Sequence, residues 1–231
     1  MKVERLLWSV ALLLWLLVPT FAGPAVAHPA SDFYDWVPGG GLDLWPGRPP
    51  DVDVHFASGE VSATRETSIT VAFNKWEDVS GATFSFTFGA DRANYAAWDR
   101  SDCSPEPTNT IHWDSSLPNS TGFDAFTTLC QTSGVISSFQ VVFDSDSGAN
   151  WHNDETNPPA GSLDLRSLAA HEAGHATGGW LQQSNFGHFN ENSTECPNNN
   201  NRHTMCPTIV LGTDWARTLG THDEHTFANA Y

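Results

Sequence analysis

The chain has 231 residues, enough for one sizeable core, and a net charge of −17, with ten basic residues against 27 acidic ones. So acidic a surface repels phosphate backbones and anionic lipid, which argues against nucleic-acid and membrane-surface partners. Ten tryptophans and fourteen phenylalanines argue against a disordered chain, because such chains lack the aromatic content to build a core.

Residues 1–27 read as a signal peptide. Lys2 and Arg5 precede an apolar run from Leu6 to Val18, too short to span a bilayer comfortably, and Ala25-Val26-Ala27 has the small-x-small form of a cleavage site. A retained membrane anchor is the alternative reading. The expected mature chain begins near His28, is secreted and extracellular, and keeps a single lysine, Lys75. Residues 28–50 are rich in Pro and Gly and read as an extended lead-in, and residues 51–231 as the folded domain.

Within that domain Val52, Val54 and Phe56 alternate with polar residues, as in a half-buried strand. Ile69, Ala72, Phe73, Trp76 and Val79 fit one helical face, although Ile69, Val71 and Phe73 also have strand period. The spacing predicts a helix there, followed at Gly81 by a cleaner strand over 83–88. Further strands are expected at 110–113 and 139–143, with a loop at 119–122 between them. Residues 144–161 read as a long polar loop. Ser162 is the expected cap of a helix from Leu163, which Gly178-Gly179 ends, and a last helix is expected from about His222 to Tyr231.

Four cysteines fit an oxidising compartment. They allow three pairings, of which the local one, Cys103–Cys130 with Cys196–Cys206, is preferred, because no C-x-x-C suggests a thiolate metal site. A structural zinc on Cys196, His203 and Cys206 is the rival reading. Asn119 and Asn192 stand in glycosylation sequons, which matter only in a glycosylating host.

The stretch His171-Glu172-Ala173-Gly174-His175-Ala176-Thr177-Gly178 carries the chemistry. On a helix His171 and His175 project from one face, one turn apart, and both imidazoles can reach a single ion. Glu172 is rotated about 100° from His171, beside the ion instead of on it. A catalytic zinc takes three protein ligands and keeps a position for water, so a third ligand is needed.

From His171 to Gly178 the pattern His-Glu-x-x-His-x-x-Gly resembles the start of the metzincin signature. That family places a third His three residues after the Gly, where this chain has Leu181. The resemblance therefore implies an insertion that brings in His188, with His203, Glu191, Glu195 or Asp214 as alternatives. A glutamate ligand would make the site gluzincin-like.

Met205, in His203-Thr204-Met205-Cys206-Pro207, is similar to the Met-turn of the clan. Residues 72–80 resemble the first helix of matrixins, 143–146 their acidic segment, 165–170 the approach to their zinc helix, and 219–231 their terminal helix. Neither a cysteine-switch propeptide nor haemopexin-like repeats are visible.

This resemblance implies an α+β fold: a mixed twisted sheet with two long helices above a cleft, and a small C-terminal part carrying the Met-turn and terminal helix. It implies a monomeric secreted zinc endopeptidase acting on peptides or proteins. Zn2+ on His171, His175 and His188 would activate a water, with Glu172 as general base. Asp144 and Asp146 are candidate Ca2+ ligands, against the alternative of a solvated acidic loop. A secreted binding protein that keeps such a fold without cutting is the rival.

Overall fold

The computed structural model describes residues 45–46, 50–91, 109–114, 124–132, 135–146, 148–178, 203–206 and 208–231. Its centre is a five-stranded sheet in the order β2-β1-β3-β5-β4. The strands are β1 (Asp51–Phe56), β2 (Ser85–Phe88), β3 (Thr110–Asp114), β4 (Ala125–Thr132) and β5 (Val135–Asp144). β2, β1, β3 and β5 run parallel, and β4 returns antiparallel along β5 at the sheet edge. A small parallel pair, β6 (Asn150–His152) and β7 (Ser162–Asp164), precedes the second helix. This is a generic mixed α+β sheet–helix fold, and the expected class holds at that level.

Two helices pack together against the sheet. α1 (Ala63–Glu77) buries Ile69, Ala72, Phe73 and Trp76, so the helical period won over the strand period in this segment. The reason is tertiary. Phe73 meets Phe86 of β2 edge-on at 5.0 Å, and the Trp76 indole N–H donates to the Ala170 carbonyl of α2 (Leu165–Thr177) at 2.8 Å. α2 presents small residues to this contact. Ala169, Ala170, Ala173 and Gly174 are buried, and a Cβ on Gly174 would collide with Met205 Sδ and Trp76 Cζ2. Gly174 thus lets the helix lie close over Met205.

The start of α2 differs from expectation. Ser162 lies in β7, and Asp164 is the N-cap, accepting the Ser167 N–H at 2.9 Å. Gly178 ends the helix in the left-handed region at φ 83°, as a C-cap glycine does. The last-turn carbonyls gain two further donors: the Trp45 indole N–H donates to Ala176 O at 2.8 Å, and the Tyr231 hydroxyl donates to Thr177 O. Trp45 N–H approaches that same hydroxyl at 3.5 Å across 186 positions of sequence.

Tyr231 directly follows α3 (Thr221–Ala230), whose Phe227 packs on Trp76 at 5.2 Å. Between α2 and α3 runs a 3-10 turn, Trp215–Arg217. Its Arg217 guanidinium grips Asp164 with Nε at 2.8 Å and Nη2 at 2.5 Å. It also donates to the carbonyls of Asp154, Glu155 and Thr156.

Candidate functional site

The polar face of α2 meets the edge strand β4. Thr127 is half-buried on β4, and its hydroxyl lies 2.6 Å from Glu172 Oε2 and 3.1 Å from the Glu172 carbonyl oxygen. Glu172 is 3% exposed, so its carboxylate is held against the strand and ties helix to sheet edge. His171 and His175 rise from the same helix one turn apart. Their Nε2 atoms are 3.2 Å apart and their rings nearly perpendicular at 82°.

The tautomer follows from the surroundings. His171 Nδ1 is 2.7 Å from the Thr204 carbonyl, which can only accept, so Nδ1 carries a proton and donates. In the neutral ring Nε2 then holds a lone pair, and His175 Nε2–H is the natural donor to it.

Thr204 belongs to the turn 203–206, which lies under α2 with Thr204, Met205 and Cys206 buried. The turn is held from α3 by the Asp223 carboxylate, which accepts Thr204 N–H at 2.8 Å, Met205 N–H at 3.3 Å and Gly220 N–H at 2.8 Å. Burial pushes the Asp223 carboxyl up to about 6, against the pull of those donors. The His203 and His222 rings stack at 4.6 Å beside it, with His203 Nδ1 3.8 Å from Asp223 Oδ2.

The spacing of the motif therefore brings His171, Glu172 and His175 together, and Met205 lies beneath Gly174. His188, Leu181, Cys103 and Cys196 fall outside the described residues. Cys130 and Cys206 are both disulfide-bonded. Asp144 and Asp146 make a local turn: Asp144 Oδ1 accepts the Asp146 N–H at 2.8 Å. His112 is fully buried between Glu60 and Thr110, its two ring nitrogens 3.0 and 3.2 Å from their side chains.

Among the described residues, no group of three or more His, Cys, Asp or Glu side chains is placed to hold a metal ion. Among the described residues the fit to a catalytic zinc fails at the third ligand. Two imidazoles converge, Glu172 is turned to Thr127, and three protein ligands are required. No family model matches the chain, and a search of curated proteins finds no relative.

The expectations built on the motif are corrected accordingly. The metzincin and matrixin resemblance, the Zn2+ centre on His171, His175 and His188, and the metalloendopeptidase activity of Glu172 are withdrawn. So is a Ca2+ site at Asp144 and Asp146, because one carboxylate is engaged within its own turn and, among the described residues, no third ligand joins the pair. Sequence reasoning missed Asp223, Arg217 and Thr127, whose partners are distant in sequence and leave no periodic trace.

Proposed function

We propose that this chain is a secreted binding protein that takes an extended peptide segment along the β4 edge without cutting it. The observation that carries the reading is the Thr127–Glu172 contact, which joins an edge strand to the polar face of α2. An edge strand offers unpaired backbone N–H and C=O groups, and an extended peptide is the partner that pairs with them. The paired imidazoles of His171 and His175 stand on the same helix as that contact. A buried glutamate beside two histidines would argue for catalysis if it had no other role, but Glu172 has one, as the tie between α2 and β4.

Secretion is supported by the leader-like residues 1–27 and by Cys130 and Cys206 standing in disulfides. The acidic chain favours basic peptides and approaches them faster at low salt. A monomer fits a binding protein that engages one segment at a time.

Purified mature protein would be titrated with a panel of short unstructured peptides, basic and acidic, while mass spectrometry follows the peptides. Saturable binding with amide shifts along β4 and no cleavage is the expected result. Hydrolysis of a bound peptide, or binding that leaves β4 unmoved, refutes the proposal.

A further inference from the structure

We infer that Asp223 is the positioning residue for the paired imidazoles, acting through the backbone of the 203–206 turn to fix the ring orientation and tautomer of His171. The path is continuous. Both carboxylate oxygens are used: Oδ2 accepts from Thr204 N–H and Gly220 N–H, and Oδ1 from Met205 N–H. Three donors on one buried acceptor leave the turn little freedom.

The Thr204 side chain adds a second restraint, donating to the Thr218 carbonyl at 3.1 Å. With the turn fixed, the Thr204 carbonyl points at His171 Nδ1 and selects the Nδ1–H form. The lone pair of Nε2 is then turned toward His175. Met205, anchored by the same carboxylate, fills the space under Gly174 and keeps the turn from sliding along the helix. Asp223 itself touches neither imidazole of the pair, which is why its role is positioning.

An asparagine at this position is close in shape but cannot accept on both sides. Its NH2 group would face either the Met205 N–H or the Thr204 and Gly220 N–H pair, and the turn must shift.

The test is ring-nitrogen NMR of the mature protein. In wild type His171 is expected as the Nδ1–H tautomer, with scalar coupling across both the Thr204 N–H to Asp223 carboxylate bond and the His171 Nδ1–H to Thr204 carbonyl bond. In folded Asp223→Asn the His171 signals should move to a mixture of tautomers. His152, whose Nε2 approaches the Thr156 carbonyl at 2.9 Å, serves as the internal reference and should not change.

Absence of either coupling in wild type overturns the proposal, and this arm holds even if the variant does not fold. An unchanged His171 tautomer in a folded Asp223→Asn protein overturns it as well. The consequence for ligand rests on the peptide-binding reading: affinity should fall about tenfold in the variant. If wild type binds no peptide, that reading fails while the NMR result still decides the role of Asp223.

Discussion

Replacing Arg217 with Met removes the only cation that, among the described residues, stands against the buried Asp164. The Asp164 side chain is fully buried, and its carboxylate is neutralised by a two-pronged contact with the guanidinium at 2.5 and 2.8 Å. After the substitution it keeps the Ser167 N–H as partner and loses its countercharge. Breaking a buried pair by removing one member costs about 3–5 kcal/mol, because the remaining charge stays desolvated.

The carbonyls of Asp154, Glu155 and Thr156 also lose a donor, but these residues are exposed and water replaces it, so they add little. Against a typical domain stability of about 5–15 kcal/mol, the loss is about a fifth or more of the total. Urea unfolding followed by tryptophan fluorescence and by circular dichroism gives the difference.

The double variant Asp164→Asn/Arg217→Met removes both charges and keeps a capping side chain on α2. It should therefore be less destabilised than Arg217→Met alone. A single-variant cost below about 1 kcal/mol, or a double variant at least as unstable as the single one, would refute the argument that desolvation dominates here.

Three further outcomes are expected. Gly174→Ala gains about 1 kcal/mol of helix propensity but forces a Cβ onto Met205 and Trp76, and should be destabilised by about 1–2 kcal/mol net in thermal melts; adding Met205→Ala should relieve part of the clash strain. Thr127→Val keeps the shape of the strand but takes the hydroxyl from a buried carboxylate, costing about 1–3 kcal/mol, whereas Thr127→Ser should be near neutral by the same measurement.

The Asp223 carboxyl is raised from its ordinary 3.8 to about 6, so between those values the folded chain binds more protons than the unfolded one. Its contribution is full below about pH 3.8 and is lost as pH rises through about 6, by roughly 3 kcal/mol. Urea midpoints across that window should fall with rising pH less steeply in Asp223→Asn, and equal slopes would count against the shift.

Much of the fold was legible. The apolar period of residues 69–79 gave α1, and alternation gave β1 and the core of β2, although Thr83 and Phe84 precede the strand. β4 was not read because Ala125-Phe126-Thr127-Thr128-Leu129-Cys130 has no clean alternation. As an edge strand it leaves four consecutive residues, Phe126 to Leu129, half-buried. β6 lay inside what read as one long polar loop, and three-residue strands carry too little pattern to register.

At the site, helical geometry placed His171 and His175 together from spacing alone. The function drawn from the motif did not follow. A short motif specifies directions on one helix, whereas ligand count and the role of Glu172 depend on Thr127, 45 positions away, and on a turn held by Asp223, 18 and 19 positions from Met205 and Thr204.

The end of α2 ties the two far ends of the described sequence together. Its final carbonyls are satisfied by Trp45 and Tyr231, which approach each other from 186 positions apart. The last turn of the helix that carries the paired histidines is therefore closed by side chains from both far ends of the described sequence. A chain lacking that residue would leave the Thr177 carbonyl to water, and the two distant ends of the sequence would lose the point at which they meet.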